Sequence, residues 1–273
     1  MKTVFIITRF SVPKRLRGYH SGDAIRPLAD ADVIALEDQF HQQGEERRVP
    51  KESIAFILPE TVQDSSGIPE LLTTLEFACS IVAVTGHPSF LCLGILSDGK
   101  FSHARHIPRM APDSTDMTFV KGLTAAGFLQ WLRRCLRALA SLKDRMHITA
   151  NRFVRFARSD SLSDGIMDLC ISLESLLDHQ TEVSFRFSIS LARATGAKGG
   201  QAERKAALLG DLYDARSKLA HGDPSAARAL RKLEPHREEL RTLAKEILTA
   251  YVLCVSEKSR EEWKRHIQTS LYS

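Results

Sequence analysis

One repeating feature governs the second half of this chain: apolar residues recur every three or four positions, segment after segment. Phe128, Leu132, Cys135, Leu136, Leu139 and Leu142 form the first such stripe. Ile148, Phe153 and Phe156 open a second, and Ile166, Leu169, Cys170, Leu173, Leu176 and Leu177 form a third. This spacing follows the α-helical turn of about 3.6 residues, so each segment presents one apolar face that must be buried. Such helices draw most of their stability from packing on one another. Further helices are expected over residues 182–194, 202–220 and 237–256, the last with Leu240, Leu243, Ile247, Tyr251 and Val255 on one side. Gly196-Ala-Lys-Gly-Gly200 and His221-Gly222-Asp223-Pro224 are the breaks between them.

The first 120 residues read differently. Lys2–Arg9, Ile54–Leu58, Ser80–Val84, Phe90–Leu96 and Phe101–Ile107 are short apolar or β-branched runs bounded by turn residues, the pattern of strands. Asp98-Gly99 marks a tight hairpin, and Pro108–Asp113 a loop. Leu28–Gln43 and Pro69–Cys79 have helical spacing. The chain of 273 residues is long enough for two domains. The expected fold class is α+β, with a mixed α/β domain of unknown role over residues 1–122 and an all-helical bundle over residues 123–273.

Cys79, Cys92, Cys135, Cys170 and Cys254 are scattered without a CxxC spacing, as expected for free thiols in a reducing cytoplasm. Phe77–Ser97 carries no Asp, Glu, Lys or Arg and would be long enough to cross a bilayer. Thr85-Gly86-His87-Pro88 breaks it in the middle, so two short buried segments are expected and no membrane span. The N-terminal apolar run is too short for a signal peptide before Arg9. The formal net charge is +5, with +1 in residues 1–144 and +4 in residues 145–273. An anionic partner is thus permitted, and the helical half is the place to seek it.

The segment Leu212-Tyr213-Asp214-Ala215-Arg216-Ser217-Lys218-Leu219-Ala220-His221-Gly222 concentrates polar chemistry at one helix end. Arg216 can grip a phosphate through two parallel hydrogen bonds. His221 sits where the helix dipole favours a protonated ring while Arg216 and Lys218 oppose it, a setting for general acid–base work. Five residues at about 100° each place Arg216 and His221 roughly 140° apart around the axis. A single helix therefore presents them poorly to one small ligand. Either the last turn unwinds or a second copy of the helix completes the site. The plain alternative is a helix cap plus a surface ion pair from Arg216 to Asp211 or Asp214. Arg15/His20 and Arg231/His236 share the spacing in poorer settings. Glu174 reads as a bundle polar residue satisfied by Arg186. The Lys14-Arg15-Leu-Arg17 run reads as a solvated loop. His103 and His106 point to opposite faces of a strand, which argues against a metal site. There is no Walker loop, GxGxxG or nucleophile elbow, and no cofactor is expected.

Four stretches in order resemble the HEPN superfamily (higher eukaryotes and prokaryotes nucleotide-binding), in particular its Apea-like branch. They are Asn151–Phe156, Asp164–Leu177, residues 182–193, and Tyr213–Gly222 with its R-x4-H motif. The resemblance spans residues 145–268 and implies a helical bundle that usually forms a homodimer, the Arg and His of both copies lining one cleft. It implies a metal-independent endoribonuclease of toxin or antiviral systems, with Arg216 and His221 as the catalytic pair. Ser217 follows the Arg, where a polar residue often supports the site; Lys218 and Asp214 are further supporting candidates. RNA is the implied partner, together with an antitoxin or regulatory protein. Position 223 is Asp, whereas the toxins paired with a nucleotidyltransferase antitoxin carry Tyr there, so that subgroup is not assigned. Some members have lost catalysis and act as dimerisation or RNA/nucleotide-binding scaffolds, which is the second reading.

Overall fold

The structure, a computed structural model, describes residues 2–8, 25–27, 30–42, 54–58, 68–85, 89–97, 100–106, 118–119, 125–140, 146–177 and 183–269. The first elements are β1 (Lys2–Thr8), β2 (Ile25–Pro27), α1 (Asp30–Gln42), β3 (Ile54–Leu58), α2 (Ile68–Val82), β4 (Ala83–Thr85), β5 (Ser89–Ser97), β6 (Lys100–His106) and β7 (Thr118–Phe119). Eight described helices follow: α3 (Ala125–Ala140), α4 (Met146–Arg158), α5 (Leu162–Glu174), α6 (Val183–Ala194), α7 (Gly199–Ala220), α8 (Ala226–Leu233), and, after a 3-10 turn (Glu234–His236), α9 (Arg237–Glu257) and α10 (Arg260–Thr269). Two compact units result, Met1–Leu72 with Val82–Leu132, and Thr73–Ile81 with Arg133–Ser273.

In the first unit the strands enter as backbone pairings, in the order β2-β3-β1-β5-β6, with β4 and β7 as a separate pair. Phe5 of β1 stands opposite Phe56 and Leu93, antiparallel on both sides. The part of the chain described in side-chain detail is 88% helical and carries no sheet. This corrects the α+β fold class with its N-terminal mixed α/β domain: the part described in side-chain detail is mostly all-helical. Ser80–Val84 shows the physical reason. A short apolar run has no period long enough to separate a strand from a buried helix turn; here α2 continues through Val82. The turn at residues 86–88, the hairpin tip at 98–99, the loop at 108–113 and the basic run at 14–17 lie outside the described residues.

The second unit is a helical bundle built from the stripes. Leu132 aside, its core includes Cys135, Leu139, Phe153, Phe156, Ile166, Leu169, Leu173, Leu209, Leu212, Ile247 and Tyr251, all buried. The middle of α2 joins it: Phe77 meets Phe153 edge-on at 5.8 Å, and the buried Glu76 pairs with Arg158 at 3.4 Å. A second buried carboxylate, Asp168, is held by Arg152 at 2.6 Å and Arg155 at 3.3 Å. Such pairs are required, since an unpartnered buried charge is strongly destabilising. Helix α5 starts after Ser161, whose hydroxyl accepts from the Asp164 N–H at 3.4 Å as an N-cap. The short α8 and polar α10 are additions to the sequence reading. Helix α10 is anchored by just two buried residues four apart, Trp263 and Ile267.

Candidate functional site

Helix α7 is fixed in the bundle by Leu208, Leu209, Leu212 and Ala215. Residues on the flanks of that apolar face, Tyr213, Arg216, Ser217 and Lys218, are half-buried, whereas Asp214 and His221 are exposed. The helix ends in a Schellman turn: Asp223 N–H donates to the Lys218 carbonyl at 2.9 Å, and Gly222 N–H to that of Leu219 at 3.2 Å. Gly222 takes φ 65°, a left-handed conformation that glycine adopts at no steric cost. His221 is the C-cap residue, φ −96° and ψ 2°, with its ring in solvent at the negative end of the helix dipole.

Arg216 points the other way, to the end of α5. Its Nη2 lies 3.3 Å from Glu174 Oε2, and its Cζ lies 5.8 Å from the centre of the Tyr213 ring. Tyr213 in turn packs against Phe187 at 5.3 Å. Arg216 Nε is buried and has no hydrogen-bond partner among the described residues. No contact between Arg216 and His221 is present among the described residues, in keeping with their separation around the axis.

Electrostatics at this cluster balance two effects. Burial pushes the Glu174 carboxyl above its usual range, and the Arg216 guanidinium opposes that rise. The Tyr213 phenol is raised, first by burial and then by the Glu174 charge. The Cys170 thiol is pushed up mainly by burial, and it donates weakly to the Leu212 carbonyl at 3.7 Å.

The sequence-derived ion pairs are corrected here. Asp214 is engaged by Lys218 at 2.6 Å and Asp211 by Lys232 at 2.6 Å, so neither serves Arg216. Glu174 takes Arg216 in place of Arg186. The signal was present: Glu174 sits among Cys170, Leu173 and Leu177, where a carboxylate needs a cation from another helix. Of the other R-x4-H pairs, His236 is bonded to Glu239 at 3.1 Å, away from Arg231's exposed place on α8, and Arg15/His20 lies outside the described residues. Among the described residues no group of three or more His, Cys, Asp or Glu could hold a metal ion. No described helix is long and apolar enough to cross a membrane.

A pH-dependent effect follows from Glu174. Because its folded-state pKa is raised, the folded protein binds more protons than the unfolded chain between the ordinary value of 4.5 and the folded value. Stability from this group therefore falls as pH rises through that window and is level above it. Urea unfolding of wild type and Glu174→Gln from acid to neutral pH should show the wild type losing ground to the variant as pH rises. A difference that stays flat contradicts this balance.

Comparison with family models, with curated proteins and with solved structures gives no match.

Proposed function

We propose that the chain is a metal-independent endoribonuclease of HEPN type, acting in the cytoplasm as a homodimer in a toxin or antiviral system. The observation that carries the reading is Arg216, held half-buried by Glu174 on the same helix whose exposed C-cap is His221. Arg216 keeps N–H donors beyond the one given to Glu174, and its Nε has no partner among the described residues. These donors suit a phosphate oxygen. The angular separation of Arg216 and His221 on α7 favours a composite site, with Arg216 of one copy and His221 of the other on one phosphodiester.

In this reading neutral His221 accepts the proton of a ribose 2′-OH as its oxygen attacks phosphorus. The 5′-oxygen leaves with a proton returned by an imidazolium, giving a 2′,3′-cyclic phosphate and a 5′-OH. Arg216 stabilises the charge that builds on the phosphoryl oxygens. Lys218, fixed by Asp214, keeps a cation in the last turn, and Ser217 supplies a hydroxyl beside Arg216. An antitoxin or regulatory protein would act by covering this helix end.

A second reading, a non-catalytic RNA- or nucleotide-binding scaffold, draws on the engagement of Arg216 by both Glu174 and the Tyr213 ring. Incubation of the purified protein with single-stranded RNA in EDTA separates the two. Fragments ending in a cyclic phosphate support the nuclease. RNA that is bound but stays intact overturns it in favour of the scaffold.

A further inference from the structure

We infer that α8 is a phosphate-gripping rail for RNA, placed beside the helix end that carries His221. The inference deepens the proposed function and rests on its choice of RNA. From Pro224 to Leu233 the chain has no acidic residue, yet it carries Arg228, Arg231 and Lys232. Ala229 and Leu233 are buried and fasten the helix to the bundle. The three cations, at positions i, i+3 and i+4, share another face.

The direction of α8 follows from an ion pair. Lys232, near its C-terminus, lies 2.6 Å from Asp211 of α7. Asp211 precedes His221 by ten residues, which is about 15 Å along a helix. The chain thus reverses at Gly222 and α8 returns alongside α7. Arg228 and Arg231 then stand along the flank that leads to His221.

These two arginines are left without a carboxylate among the described residues, close to the helix end that carries His221. Many other surface cations are paired: Lys218 with Asp214, Arg204 with Glu239, Lys205 with Glu246, Arg134 with Glu257 and Arg265 with Glu262. Arg228 and Arg231 are exposed and have no carboxylate partner among the described residues. The acids near them are otherwise placed. Asp211 and Asp214 are taken by lysines, Asp223 accepts the Ser225 N–H at 2.7 Å, and exposed Glu234 lies beyond the end of the helix. The exposed side of α8 offers no large apolar residue: Ala227 is its one apolar member. A protein partner would want an apolar centre to its interface. A polyanionic backbone needs only the cations, and each arginine can take a phosphate through two parallel N–H bonds.

The test uses the full chain in a His221→Ala background, so that RNA stays intact, and a single-stranded 20-nucleotide RNA in EDTA. Affinity is measured by fluorescence anisotropy over a salt series. Each phosphate neutralised on a single strand contributes about 0.7 to the slope of log K against log salt. Arg228→Gln/Arg231→Gln should therefore reduce the slope by about 1.4, and Arg228→Lys/Arg231→Lys should restore it. An unchanged slope with a helical, folded variant overturns the inference, and leaves the nuclease reading intact if the wild type still cleaves. A slope change in a protein whose wild type never cleaves upholds the rail and overturns the nuclease. Loss of poly-glutamate binding without loss of RNA binding overturns the rail in favour of an acidic protein partner.

Discussion

If the proposed nuclease reading holds, His221→Ala should lower RNA cleavage by at least about 100-fold, the low end of what a positioned acid–base group contributes, and Arg216→Ala should do so to a similar or greater degree. The two losses have different origins. His221 is exposed and makes no side-chain contact among the described residues, so its removal should leave the fold and its unfolding midpoint unchanged. Arg216 is tied to Glu174, and its removal leaves a half-buried carboxylate without its cation. Arg216→Ala/Glu174→Gln is therefore the control: it removes the stranded charge while keeping the catalytic defect. Mixing the two inactive proteins probes the composite site. If Arg216 of one copy works with His221 of the other, a heterodimer of Arg216→Ala with His221→Ala carries one intact site, and cleavage returns. Full activity in either purified single variant contradicts the catalytic assignment.

The largest structural effect is expected at Trp263. It is 1% exposed, stands edge-on to Tyr251 at 5.2 Å, and donates its indole N–H to the Leu176 carbonyl at 3.1 Å. Truncation to Ala empties a large cavity and should cost about 3–5 kcal/mol. That is a large part of the roughly 5–15 kcal/mol that holds a domain folded. Trp263→Phe keeps an aromatic ring but leaves the Leu176 carbonyl without its donor, at a cost of about 1–3 kcal/mol. Urea denaturation should rank wild type, Phe and Ala in that order. An Ala variant within about 1 kcal/mol of wild type would mean that α10 holds nothing in place.

Why some features were legible and others not has a physical basis. Helices α4, α5, α6, α7 and α9 announced themselves because each carries several apolar residues at helical spacing. The end of α7 was legible for a different reason: Gly222 and Pro224 leave few backbone choices. Helix α10 was hidden because two anchors, Trp263 and Ile267, do not make a period, and their neighbours are charged. Helix α8 was hidden because its eight residues follow directly on a turn. At the site, Arg216 and His221 could be picked out along the chain. That Glu174 needs a cation was readable from its apolar neighbours, but which cation was not, because Arg216 lies 42 residues away and only packing of α5 on α7 brings the two together.

The segment Thr73–Ile81 has a consequence for how this gene can be cut. Those nine residues belong with the bundle although more than fifty positions separate them from Arg133. Phe77, Ala78 and Cys79 are fully buried, and Thr73 reaches Asn151 at 3.4 Å. A fragment that starts at α3 would leave the slot filled by Phe77 open against Phe153 and remove the Glu76 carboxylate from Arg158. The helical unit, cut at α3, is thus no self-contained cassette that recombination could lift out and graft elsewhere. The two units are interlaced along the chain, so the helical unit includes a segment from within the first half.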